Sequence, residues 1–97
     1  MNFVVIGDSC VDEYYYCDST RLCPESPVPL LDIKRKTSTR GMAGNVFNNF
    51  KKLCDTVELV TNENWESIKK SRYVDGKTNH MFIRVDTTDR GKRINLD

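Results

Sequence analysis

The residues that could do chemistry sit in a few short stretches. Residues 2–6 are apolar and stop at Gly7-Asp8, and a second acid, Asp12, follows closely. Such a run reads as a buried parallel strand with a functional turn at its C-terminal end. By residue type alone, Asp12 caps or solvates a strand end. Gly41, Gly44 and Asn45 precede an amphipathic run. Glycines there permit close backbone approach, and by themselves build a tight helix start. Arg21, Arg72 and Arg84 have the fork geometry that clamps a phosphate, with a plain surface role as the competing reading for each. The single histidine, His80, reads as an exposed strand residue rather than a general base. Cys10, Cys17, Cys23 and Cys54 form no C-x-x-C pair, and one histidine cannot complete a zinc set with them. No metal or cofactor is expected.

Positioning these residues requires a handful of short elements. After the strand over residues 2–6, residues 13–17 hold three successive tyrosines, a strand composition with side chains on both faces. Residues 18–29 contain Pro24, Pro27 and Pro29 and are expected to be extended and irregular. Residues 30–36 alternate loosely and predict a half-exposed strand, and residues 37–41 a polar loop. Ala43, Val46, Phe47, Phe50 and Leu53 recur at helical spacing, so residues 43–54 predict an amphipathic helix. Residues 56–61 predict another strand. Asn62 is placed to cap a short helix over residues 63–70, with Trp65 anchoring it on the core. Residues 71–75 and 79–86 predict a hairpin, and residues 87–97 a loose polar tail. Pairing residues 2–6 with 56–61 gives a parallel strand–helix–strand core. The other four strands are expected to form a separate antiparallel layer, one face of which this chain cannot cover.

The chain has 97 residues, 38% hydrophobic and 30% charged, which is a folded composition and room for one small domain. No apolar run reaches the ~20 residues that cross a bilayer, and the N-terminus lacks the features of a signal peptide. A cytoplasmic location and free thiols are therefore expected, although an even cysteine count leaves two disulfides formally open. A net charge of +1 argues against a dedicated nucleic-acid binder. The charge is uneven: residues 1–33 carry six acids and one base, and residues 34–97 carry eight acids and fourteen bases. The basic part could hold a phosphate or meet an acidic partner, with a solvated face as the bland reading.

Three stretches together carry a resemblance. They are Val4-Val5-Ile6-Gly7-Asp8-Ser9-Cys10-Val11-Asp12, the run from Ser19 through Pro24-Glu25-Ser26-Pro27-Val28-Pro29, and Arg40-Gly41-Met42-Ala43-Gly44-Asn45-Val46. The chain resembles the N-terminal part of PfkB (ribokinase-like) carbohydrate kinases, and most of all the heptose 7-phosphate kinase domain of ADP-heptose-synthesis enzymes. Phe82-Ile83-Arg84-Val85-Asp86 continues the likeness, which runs from about residue 3 to 86. The resemblance implies an α/β ribokinase-like partial domain spanning 1–97. Residues 13–17, 30–36, 71–75 and 79–86 would be its lid strands. It implies that Asp12 binds sugar hydroxyls, that Gly41 lets the sugar approach, and that Asn45 donates and accepts there. Arg84 joins them as a substrate-binding candidate.

Two departures limit what the resemblance implies. Met42 stands where the family has its second glycine, and only residues 62–70 lie between the second core strand and the lid hairpin. The family's anion hole, catalytic base and nucleotide pocket lie in a longer region beyond the matched part. No Gly-x-Gly-Asp sequence and no P-loop occur here, and phosphoryl transfer depends on such parts. The chain is therefore expected to be inactive as a kinase alone. It reads as a truncated, non-catalytic relative that oligomerises through its lid and binds a sugar or sugar phosphate. The alternative is half or a fragment of a heptose-7-phosphate-type carbohydrate kinase that needs a second chain with the ATP site. A homodimer is expected, with Tyr14, Tyr16, Leu31, Ile33, Phe82 and Ile83 as interface candidates. Neither a nucleic-acid nor a membrane partner is expected.

Overall fold

The computed structural model describes residues 2–87 and 90–94. Strand β1 (Phe3–Ile6) pairs in parallel with β4 (Val57–Val60), Phe3 opposite Val57 and Ile6 opposite Val60. Helix α1 (Ala43–Leu53) connects into β4 and packs on this pair, with the Phe3 and Phe50 rings 5.6 Å apart. Parallel neighbours need a long crossover, and α1 supplies part of it. Lys51 and Lys52 close the helix where its dipole favours cations. At the other end, the Ala43 amide donates to the Asp8 carbonyl at 3.0 Å in place of a side-chain cap. A Cβ on Gly44 would lie 3.0 Å from Arg40 Cβ, so a larger residue would push helix and strand apart. The expected parallel strand–helix–strand core is present.

The second sheet has four strands in the order β3 (Pro29–Met42), β2 (Ser9–Leu22), β5 (Lys69–Asp75), β6 (Met81–Asp86). It is mixed. The β2–β3 and β5–β6 pairs are antiparallel, but β2 and β5 run parallel, with Val11 opposite Lys69 and Cys17 opposite Asp75. This corrects the expectation of an all-antiparallel layer. Tight connections make only antiparallel neighbours, whereas β2 reaches β5 through β3, α1 and β4.

Three local expectations also change. Residues 37–41 are strand, not loop: β2 is fourteen residues long, and the stretch from Thr37 to Met42 pairs with it from Tyr14 back to Ser9. Backbone satisfaction and the β preference of threonine outweigh the polar composition. Part of the expected irregular stretch, up to Leu22, continues β2, and the proline-rich turn that follows leads into β3 at Pro29. The expected helix over 63–70 shrinks to one 3-10 turn, Trp65–Ser67, after which the chain is already β5. Asn62 caps nothing there. It is fully buried, and its carboxamide accepts from the Ser9 amide at 2.7 Å and donates to the Ser9 carbonyl at 3.3 Å. Ser9 is where the chain leaves one sheet for the other, and its backbone groups need those partners.

Of the expected loose tail, residues 88–89 and 95–97 lie outside the described residues. The part around Gly91 is docked. Asn64 donates to the Arg90 carbonyl at 2.8 Å and accepts from the Lys92 amide at 2.8 Å.

The molecule measures 57 × 28 × 15 Å with a radius of gyration of 17.3 Å, against about 13 Å for a compact domain of this length. Its accessible surface is 7277 Å². A compact monomer of 11.2 kDa would expose about 5,700 Å². Its buried apolar core is correspondingly thin: Cys10, Cys17 and Val74. Val4 and Ile6 on β1 are more than half exposed, because no second layer covers that face of the β1–β4 pair. Among the described residues, no helix is long and apolar enough to cross a membrane.

Candidate functional site

Alternation along β2 sends Cys10, Asp12, Tyr14 and Tyr16 to one face of the four-stranded sheet and Val11, Glu13 and Tyr15 to the other. The neighbours sort accordingly. On the Asp12 face, Tyr14 and Tyr16 stack at 6.4 Å, the Arg72 guanidinium lies 5.3 Å from the Tyr14 ring, and Arg35 covers Tyr16 at 4.1 Å. On the Glu13 face, Tyr15 stacks on Tyr73 at 4.7 Å, with Ile83 opposite Tyr73.

Asp12 is half-buried, and its Oδ1 accepts from Arg72 Nη1 at 3.2 Å. Gly41 on β3 is buried beside it. A Cβ on Gly41 would fall 2.5 Å from Asp12 Oδ2 and 2.7 Å from Cys10 Sγ. Only glycine leaves the carboxylate where it is. Burial, and then the negative charge of Asp12, push the Cys10 thiol up from its ordinary value. It stays protonated and is not a nucleophile. Arg84 on β6 lies opposite Arg72 and forks Asp86, Nε to Oδ1 at 2.8 Å and Nη2 to Oδ2 at 2.9 Å. That fork holds the Asp86 carboxyl below the usual carboxylate range.

The structure thus gathers Asp12 and Gly41 on one face, with Arg84 on the same face one strand beyond Arg72. Asn45 is set apart. It is exposed on the first turn of α1, lining a groove of about 400 Å³ with Thr39 and Arg40. Thr39 is the register partner of Asp12, so Asn45 stands about one strand away from the carboxylate. A groove of about 530 Å³ between Glu13, Ser38, Arg40, Trp65 and Lys69 opens mainly on the opposite face, away from this chemistry. Trp65 lies there under the Arg40 guanidinium, 4.7 Å from its ring. Among the described residues, no group of acidic, histidine or cysteine side chains could hold a metal.

Arg72 and Lys70 were harder to find from sequence than Asp12. Arg72 was one of three arginines with no reason to prefer it, and its pairing with Asp12 spans sixty residues. By pattern, Lys70 falls at the end of the expected helix over residues 63–70. Its strand register, opposite Asp12 on one side and Asp86 on the other, places it on the Asp12 face.

An α/β chain with a glycine-flanked carboxylate on a sheet beside a parallel strand–helix–strand is the class of protein that the sequence resemblance implies, and comparison with known proteins supports it: the chain is related to the heptose kinases. It is similar to several enzymes named bifunctional protein HldE. It is 40% identical over 60 residues to that of Aliarcobacter butzleri, covering 62% of this chain and 13% of the relative. It is 46% identical over 57 residues to that of Desulfatibacillum aliphaticivorans, covering 59% and 12%. With one from Helicobacter pylori it shares 38% identity over 79 residues, covering 74% and 17%. The chain therefore spans under a fifth of the length of the curated relatives it matches. No family model matches it.

Proposed function

We propose that these residues are the sugar-holding part of a heptose-phosphate-type carbohydrate kinase, and that phosphoryl transfer requires an ATP site outside them. The carrying observation is the Asp12–Gly41 pair: a half-buried carboxylate kept clear by a glycine whose Cβ would sit 2.5 Å from it. A carboxylate accepts several hydroxyl donors at once, which suits a polyol. Arg84 stands on the same face, on β6, and Asn45 lies about a strand away at the helix start. The similarity to HldE supports a sugar phosphate as the ligand class. The chain acts as a homodimer in this reading. The surface excess of roughly 1,600 Å² per chain over a compact monomer of its mass is about twice the roughly 800 Å² that one standard interface removes from each partner, so a dimer has surface to spare for it. The Tyr15–Tyr73 stack with the exposed Ile83 beside it offers an apolar patch for that interface.

Calorimetric titration with sedoheptulose 7-phosphate tests the site. The wild-type chain is expected to bind, and Asp12→Ala to bind about tenfold or more weakly through lost charged hydrogen bonds. With ATP, the chain alone is expected to give only background ADP release, and turnover to appear on adding a chain that carries the ATP-binding part of an HldE relative. Unchanged affinity in both Asp12→Ala and Asn45→Ala would move the site elsewhere. A second reading, a non-catalytic oligomeric relative, is favoured by Met42 standing in the family's glycine position. Sugar binding without turnover in every such mixture would select it.

A further inference from the structure

Arg40 and Lys69 are register partners of the same residue. Val11 on β2 lies opposite Arg40 on β3 and opposite Lys69 on β5, so the three stand in one row across the Glu13 face of the sheet. The two cations are two strand spacings apart, about 10 Å between backbones, with an apolar residue between them. This row and the Trp65–Ser67 turn line the groove of about 530 Å³ on that face, a volume in the range of small-molecule sites. Trp65 is the chain's only tryptophan. It is half-buried, and the Arg40 guanidinium covers its ring at 4.7 Å. The stack holds the arginine beside the groove, so an anion that binds it has less side-chain freedom to remove. Lys36, Arg72 and Arg84 each pair with a carboxylate. Among the described residues Arg40 and Lys69 pair with none, and both are exposed. The acids of the groove do not neutralise them. Glu13 is taken by Lys36 and Ser71, and Glu66 is exposed on the turn without an ion pair among the described residues. The groove is on the opposite face from Asp12, and the Glu13 row separates it from the Tyr15–Tyr73 stack.

We propose that this groove is a binding site for a small organic dicarboxylate, with one carboxylate on Arg40, the other on Lys69, and the methylene body over Val11 and Trp65. The assignment is independent of the sugar reading of the Asp12 face. Arg40 takes a carboxylate as a fork, two N–H donors to two oxygens, and Lys69 takes the second as a point charge. A monocarboxylate satisfies one cation and leaves the other unpaired. Sulfate or phosphate brings no apolar body to Val11 and Trp65. Glu66 opposes the bound charge from the turn, so its removal strengthens the site.

Trp65 emission is the readout, since no other tryptophan contributes. Adipate, hexanoate and hexanamide are titrated into the full chain at constant ionic strength. Adipate is expected to give a saturable change at about tenfold or more lower concentration than hexanoate, and hexanamide to give none. Arg40→Gln and Lys69→Gln should each reduce the adipate affinity to that for hexanoate, with circular dichroism checking that both variants keep their fold. Arg40→Gln also removes the stack on Trp65, so calorimetry replaces emission for that variant. Glu66→Gln should bind adipate severalfold more tightly. Equal wild-type affinity for adipate and hexanoate would overturn the assignment, as would adipate binding left unchanged by either cation variant or weakened in Glu66→Gln. An emission change that fails to saturate, or that inorganic sulfate reproduces at the same ionic strength, would overturn it too. None of these outcomes bears on sugar binding, which Asp12→Ala reads separately.

Discussion

Asp12 and Glu13 are adjacent acids on one strand, and the sheet treats them in opposite ways. Glu13 is 4% exposed; Lys36 Nζ lies 2.8 Å from its Oε2, and Ser71 Oγ donates to its Oε1 at 3.0 Å. Every role it has is internal, holding the centre strand β2 to both of its neighbours. Asp12 keeps about a quarter of its side chain in solvent, has one arginine partner at 3.2 Å, and faces a glycine rather than a side chain. Chemically alike, the two residues differ in how many of their lone pairs the protein has already used. A carboxylate with all its acceptors spent stabilises the fold, and one with acceptors to spare can take a ligand. The same division separates the two faces of the sheet. Both faces carry a tyrosine stack; one holds its buried acid fully paired, and the other holds an acid with acceptors to spare.

The largest expected effect tests that division directly. Glu13→Ala removes a buried acceptor from Lys36 and Ser71 and should cost about 2–3 kcal/mol of unfolding free energy. Asp12→Ala should cost under about 1 kcal/mol, since its ion pair is partly solvated, while weakening sugar binding about tenfold or more. Urea denaturation of both variants checks this, and equal losses would erase the distinction. The pH dependence has a definite sign. The Lys36 hydrogen bond, followed by that from Ser71, holds the Glu13 carboxyl below its ordinary value, with burial opposing. Its contribution is therefore complete above about pH 4.3, the unfolded value, and is lost as the pH falls through the lower folded value. Glu13→Gln should flatten the acid limb of a stability–pH profile between about pH 5 and 3.

A smaller effect separates the faces by assembly. Ile83 is 53% exposed on the Glu13 face, opposite Tyr73. Placing a charge there with Ile83→Asp should weaken dimerisation by tenfold or more, about 1.4 kcal/mol. Tyr14→Asp on the other face should leave the dimer intact and act on the sugar site instead. Analytical ultracentrifugation across a micromolar range distinguishes them. A wild-type monomer throughout would remove the dimer from the proposal. The sequence-based interface candidates did not separate these roles, because Tyr14 and Tyr16 share one face while Ile83 lies on the other.

What sequence reading reached was local. The helix and the β5–β6 hairpin rest on periodicity within a dozen residues or on a short turn, and the parallel β1–β4 pair, though distant in sequence, follows from the strand–helix–strand order; all three are present. Asp12, Gly41 and Asn45 came from a family likeness, and the structure joins the first two while leaving Asn45 a strand away. The features it missed are settled by partners far along the chain. Residues 37–41 look like a loop because an edge strand exposes charged and polar groups on both sides, and only the length of β2 makes them strand. The parallel β2–β5 pairing has no local signature. Asn62 looks like a helix cap by type, yet its partner Ser9 is 53 residues away, and the Arg72–Asp12 pair was hidden for the same reason.

The smallest effect concerns the junction between the site and the helix. Met42 has φ 56° and ψ −127°, a left-handed conformation that glycine adopts freely and a residue with a Cβ does not. Gly41, its neighbour, does not have a positive φ. The backbone thus keeps a glycine-type conformation at the position where methionine replaces the family's second glycine. Holding a non-glycine residue there costs about 1–3 kcal/mol. A glycine at the same place would add unfolded-state entropy of up to about 1 kcal/mol. Met42→Gly is therefore expected to stabilise the chain by about 1 kcal/mol. Met42→Ala, which keeps a Cβ and so the strain, should stay within about 0.5 kcal/mol of wild type. The left-handed turn also carries the Met42 sulfur to Lys70. Urea denaturation midpoints of the two variants beside wild type read the effect. A Met42→Gly chain less stable than Met42→Ala would mean that the backbone at 42 is set by the methionine side chain and not retained in spite of it.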